Sequence, residues 1–221
     1  MARTKELDML NGALLPKLMM FSLPLALTGI LQLLFNAAGV IVVGKFAGST
    51  SLAAVGATSA LINLLTGAFI GISVGVNILV ARYIGCRDDA GVSRAVHSAV
   101  TLSLLLGVVT FLLGFFLSTP MLELMGTPED VIDLAVLYLR IYLLGMPCIM
   151  LYDFGASILR STGDSKRPLY ALIAAGIINT ILNLILVISF GMGVSGVAIA
   201  TVISQTVSAV WVIAFLLGKK N

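Results

Sequence analysis

The stretch "PLYALIAAGIINTILNLILVISFGMGVSGVAIATVISQTVSAVWVIAFLLG", Pro168 to Gly218, contains no Asp, Glu, Lys, Arg or His. A hydrocarbon core takes about 20 apolar helical residues per crossing. This run is too long for one crossing, so it needs a turn inside it. "FGMGVSG", Phe190 to Gly196, supplies one, because clustered glycines weaken a helix and favour turns. The run therefore reads as two spans, at about 168–189 and 195–217.

The same reading extends through the rest of the chain. Hydrophobic residues make up 59% of it and charged residues 10%, against about 25% charged in a soluble domain. Mean hydropathy is +1.12. Uncharged runs place four earlier spans at about 18–44, 53–82, 95–118 and 132–158. "AGSTS", "GCRDDAG", "GTPED" and "STGDSKRP" punctuate the connections, and the proline of "KRP" suits the first turn of a new helix. The expectation is an all-α, polytopic membrane protein, with residues 1–221 forming a single bundle of six transmembrane helices. Met1 to Asn11 is polar and the apolar run after it is longer than a signal-peptide core, so no cleavable leader is expected.

Basic residues set the orientation. Arg3, Lys5, Lys17, Arg82, Arg87, Arg94, Arg160, Lys166, Arg167, Lys219 and Lys220 fall on one side, eleven of the thirteen. Lys45 and Arg140 fall on the other, with Glu123, Glu129, Asp130 and Asp133. Both termini are expected to be cytoplasmic and the location to be the cell membrane. Cys86 and Cys148 give neither a disulfide framework nor metal spacing, and no cofactor or nucleic-acid partner is expected. An intramembrane enzyme is disfavoured, because no paired nucleophile and base is evident.

Intramembrane polar groups are the candidates for function. Asp153, in "MLYDFGASILR" (Met150 to Arg160), is the only acid deep in an expected span. Gly155, Ala156 and Ser157 beside it let another helix approach closely, which directs Asp153 toward the bundle interior. The alternative places it near the interface with Arg160, two turns and about 10 Å away along the helix. Asn179 and Asn183 share one helix face, and Gln32 and Asn36 share another. Amides in lipid also serve simply to join helices. Taken together, two amide pairs and one carboxyl suggest a polar chamber suited to a proton or a hard cation such as Na⁺. His97 reads as an interfacial hydrogen-bonder, Tyr138 and Tyr142 as interface anchors beside Arg140, and Gly71 and Gly75 as a small-residue helix contact.

A series of segments resembles the multidrug and toxin extrusion (MATE) family. They are "LPLALTGILQLLFNAAGVIVVGKFAGSTSLAAVG", "FIGISVGVNILVARYIG", "ELMGTPEDV", "YLRIYLLGMP", "ILRSTGDSKRPLY" and "INTILNLILVISFGMGVSGVAIATVISQ". The resemblance implies one six-helix lobe of a two-lobed antiporter, driven by H⁺ or Na⁺, that exports amphipathic or cationic compounds. It also implies a cation- or proton-binding cluster at Asp153, Asn179, Asn183 and Asn36, next to a substrate cleft at Gln32 and Gly39. Two positions depart from the family pattern. Gly39 stands where the family usually has a span-one aspartate, and Asp153 stands where it usually has asparagine. Either the carboxylate has moved from span one to span four, or the site has drifted and Asp153 is incidental. The partner expected for the missing lobe is a second copy in the same orientation or a separate chain. The rival readings are a non-transporting membrane subunit and a lipid-linked oligosaccharide flippase. The flippase would favour a basic cleft, and spans one, two, three, five and six have no Lys or Arg deep within them.

Overall fold

The computed structural model describes residues 14–218. Arg3, Lys5, Lys219, Lys220 and the polar 1–11 stretch lie outside the described residues. Seven α-helices follow in order: α1 Leu14–Phe46, α2 Ser49–Gly85, α3 Asp89–Leu124, α4 Glu129–Leu144, α5 Met146–Ser161, α6 Lys166–Leu184 and α7 Gly193–Gly218. A π turn, Ile185–Ser189, continues α6. Five of the helices are long and apolar enough to cross a membrane alone, and α4 with α5 passes the same test as one bent span.

Helices overrun the expected spans because hydropathy marks the hydrocarbon region, whereas capping marks the helix ends. Asp88 starts α3 by accepting a 2.8 Å hydrogen bond from the Gly91 amide. Asp164 accepts from the amides of Lys166 and Arg167 at 3.2 and 3.1 Å and so starts α6. Its other oxygen meets Arg167 Nε at 3.1 Å. These side chains satisfy backbone donors that have no partner inside the helix.

The expected span at 132–158 is not one straight helix. α4 and α5 meet at 49° around Gly145. Pro147 explains the break, since it has no backbone N–H and its ring clashes with the carbonyl four residues earlier. The Gly145 amide closes a tighter turn on the Tyr142 carbonyl at 2.9 Å.

α5 lies at the centre, packed on α2, α3 and α7. Met146, Met150, Phe154, Ile158 and Leu159 are fully buried along it. Glycines set three close crossings. A Cβ at Gly107 of α3 would meet Pro147 Cα at 2.5 Å, and one at Gly155 of α5 would meet Val212 Cγ1 at 2.5 Å. The Phe35 ring of α1 lies directly over Gly176 of α6. Gly71 and Gly75 are not a helix contact: both are exposed, and a Cβ at either would meet nothing within 4 Å. Their spacing fits a packing motif, but that face of α2 has no neighbour.

Candidate functional site

Helices α1, α2, α4, α6 and α7 line a half-open cavity of about 210 Å³, with Asn183 buried in its wall and Gln32, Asn36 and Asn63 exposed. Gln32, Asn36 and Gly39 line it from α1 and Asn179 and Asn183 from α6. The i, i+4 spacing of each amide pair puts both members on the inward face. The structure thus brings together five of the six residues singled out in the sequence.

The amides form a chain. Asn183 Nδ2 donates to Asn179 Oδ1 at 3.0 Å, and Asn179 Nδ2 donates to Thr201 Oγ1 and Ser204 Oγ of α7, each at 3.3 Å. The chain ends on an orphan: Asn183 is 1% exposed and its Oδ1 has no hydrogen-bond partner. A buried acceptor without a donor is costly, by about 1–3 kcal/mol. Next to it, a Cβ at Gly39 would lie 3.6 Å from Asn183 Nδ2, an ordinary contact. A side chain can therefore start at position 39 without a clash at its Cβ.

Asp153, the sixth residue, does not line this cavity. It is half-buried on α5, within electrostatic reach of Tyr142, Tyr152 and Arg160. Tyr142 does line the cavity, so one residue within reach of the carboxyl also faces the amides. One turn beyond Asp153, Ser157 Oγ donates to Ser73 Oγ of α2 at 3.0 Å, and the Ser157 carbonyl accepts from Asn77 Nδ2 at 2.8 Å. The neighbourhood of the carboxyl is therefore polar as well as packed.

Sequence reasoning missed part of the lining. Tyr138 and Tyr142 are cavity residues rather than interface anchors, their ring centroids 6.2 Å apart. Asn63, Thr66, Thr201, Ser204 and Gln205 also contribute. Thr201 and Gln205 are four residues apart, the same signal that identified the asparagines. No lining residue is Asp, Glu, Lys, Arg or His. His97 Nδ1 lies 2.7 Å from the Ser93 carbonyl on its own helix, away from the cavity.

An all-helical membrane bundle with a half-open polar cleft in its side is an arrangement that suits one lobe of a transporter. A profile of the MatE family matches residues 24–185, and the chain belongs to that family, the MATE transporters. It is 36% identical over 206 residues to a probable multidrug resistance protein of Bacillus subtilis, YoeA, covering 91% of this chain and 44% of that protein. An outward-facing multidrug resistance MATE transporter superposes with a TM-score of 0.91 at 30% identity, over 100% of this chain and 49% of its own. An inward-facing one gives 0.79 at 32% identity, over 84% of this chain and 42% of its own. The chain spans about half the length of the curated relatives it matches.

Proposed function

We propose that this chain provides one lobe of a cation-coupled antiporter of the plasma membrane, with both termini cytoplasmic, that exports amphipathic or cationic compounds. A second lobe, from another copy or a separate chain, faces it across the substrate cleft. The observation that carries the reading is the orphaned Asn183 Oδ1 in a cavity ringed by amides and hydroxyls. Such oxygens suit a hard cation such as Na⁺ and give a soft metal little, whereas a coupling proton would need the Asp153 carboxyl. Asn36, Asn179 and Asn183 hold the ion in this reading, and Gln32 and Gly39 border the substrate. Asp153 contributes the negative charge from outside the cavity lining, within electrostatic reach of Tyr142. Alternating access is supported by the chain's likeness to lobes from both outward- and inward-facing relatives, and it follows from one bundle rocking against the other.

The test is efflux of a fluorescent lipophilic cation from cells expressing the chain, comparing wild type with Asn183→Leu at matched membrane levels. Leucine keeps the bulk and removes the oxygen, so efflux should fall to the background of untransformed cells. Equal efflux from both would overturn the site. If neither exports, lobes of a full-length relative should be supplied in trans; continued silence would favour a non-transporting subunit.

Gly39→Asp probes the same cavity from the other wall. The new Cβ meets only side-chain atoms, at ordinary contact distance beside the Asn183 amide, so the variant should fold normally. Two unit charges 4 Å apart attract by about 4 kcal/mol at an effective dielectric of 20. Desolvation offsets most of this, leaving Na⁺ binding about tenfold tighter, on the order of 1.4 kcal/mol. Thermal stabilisation of the purified protein against Na⁺ concentration, with K⁺ as control, measures it. An unchanged Na⁺ response would place the ion elsewhere.

A further inference from the structure

A second polar pocket lies between α3 and α4, near the connection at residues 125–128 and separate from the amide cavity. It has a volume of about 400 Å³, and its lining includes Thr119 and Glu123 of α3 with Asp133, Leu137 and Arg140 of α4. Arg140 is held in place. Its Nε donates to Ser118 Oγ at 3.1 Å, its Nη2 donates to Thr119 Oγ1 at 3.5 Å, and its Cζ lies 5.0 Å from the Phe115 ring centroid. A guanidinium carries five N–H donors, so these two bonds leave others for a ligand in the pocket.

The charges are ordered along the helix axes. The guanidinium sits at the level of Ser118 and Thr119. Glu123 lies one turn nearer the connection, about 6 Å at 1.5 Å rise per residue. Asp133 is likewise nearer that end of α4 than Arg140, and both carboxylates belong to exposed residues. A cation therefore sits deeper in the bundle, with two anions nearer the polar end. Helical spacing puts two exposed apolar side chains deeper on the same faces, Phe116 of α3 at 74% and Leu144 of α4 at 57% exposure.

We propose that this pocket binds the headgroup of a phospholipid with a primary ammonium, of the phosphatidylethanolamine type. The phosphate meets Arg140 in a charge-assisted pair, and the ammonium, nearer the water, donates to Glu123 and Asp133. The acyl chains lie along Phe116 and Leu144. In a bilayer the phosphate lies nearer the acyl chains than the ammonium does, so the cation-deep, anion-shallow order matches this lipid's own dipole. An anionic headgroup would meet two carboxylates with no cation to offer them. A choline headgroup has no N–H to donate.

The test is native mass spectrometry of the purified chain with equimolar phosphatidylethanolamine, phosphatidylcholine and phosphatidylglycerol of matched acyl chains. Ethanolamine adducts should outnumber each of the others about tenfold, the scale set by one charge-assisted hydrogen bond. Arg140→Gln should abolish that preference. Because Arg140 also ties α3 to α4, the exposed pair Glu123→Gln with Asp133→Asn gives a second readout that does not depend on folding of the first variant. It should reverse the preference toward phosphatidylglycerol, since the pocket is then left with a lone cation. A wild type without ethanolamine preference, or a double substitution that leaves the preference unchanged, overturns the proposal. Free phosphoethanolamine that competes as well as the lipid would overturn the lipid as occupant.

Discussion

Gly107→Ala should lower the melting temperature of the purified chain by roughly 10 °C, taking a cost of about 3 kcal/mol for overpacking and the usual conversion for a chain of this size. The reason is what the added methyl meets. A Cβ at Gly107 would stand 2.5 Å from Pro147 Cα and 2.9 Å from Pro147 N. Both are backbone atoms at the start of α5, directly after the bend, and cannot rotate away. Relief requires moving α3 off α5, and α5 is the helix around which the core is built. Gly114, two turns further along α3, is the control. Its Cβ would meet Leu143 Cδ1 at 2.6 Å, the end of a side chain that can change rotamer. Gly114→Ala should therefore shift the melting temperature by less than half as much. Gly71→Ala, facing open space, should be neutral or slightly stabilising through helix propensity. Fluorescence-monitored melting in one detergent ranks the three. Equal shifts for Gly107→Ala and Gly114→Ala would mean that α3 and α5 adjust to each other freely.

The spans were legible because a bilayer leaves few alternatives: uncharged runs of sufficient length must be helices whose backbone groups are satisfied internally. The amide side of the cavity was legible for a related reason, because Gln32 with Asn36 and Asn179 with Asn183 repeat at helical spacing. What stayed hidden depends on how helices rotate and cross. Hydropathy continues unbroken through Gly145 and Pro147, so nothing apolar marked the bend, although a glycine two residues before a proline within a span was an available signal. Nearness to a helix end makes Tyr138 and Tyr142 read as interface anchors, but α4 turns them onto the cavity. Gly71 and Gly75 carry the right spacing on a face without a neighbour, whereas the equally spaced Ala99, Ser103 and Gly107 lie on a face that does meet a neighbour, so spacing alone does not tell a contact from an open face. The position of Asp153 outside the amide cavity depends on the roll of α5 against α4, which sequence spacing does not encode.

That position makes Asp153→Asn the sharper test of coupling. The substitution removes a charge while keeping the side chain's shape, so folding and membrane level should be unchanged. Efflux of the fluorescent cation should fall about tenfold, the size of a coupling free energy near 1.4 kcal/mol. The carboxyl has no place in the cavity lining, so its influence has to pass through something that does. Tyr142 is the candidate, because it lines the cavity and lies within electrostatic reach of Asp153. It belongs to α4 and Asp153 to α5, so the pair spans the 49° bend. Ion uptake that neutralises Asp153 would change the balance of forces across that bend. It can drive a conformational change only if the two arrangements of the lobe treat the charge differently. A double-mutant cycle separates this route from a direct one. If Asp153 acts through Tyr142, Tyr142→Phe alone should lose much of the efflux, and adding Asp153→Asn should lose little more. Additive losses would show that the two groups act independently. Full efflux from Asp153→Asn would leave coupling to the uncharged cavity alone, with Asn183 Oδ1 as the group that meets the ion.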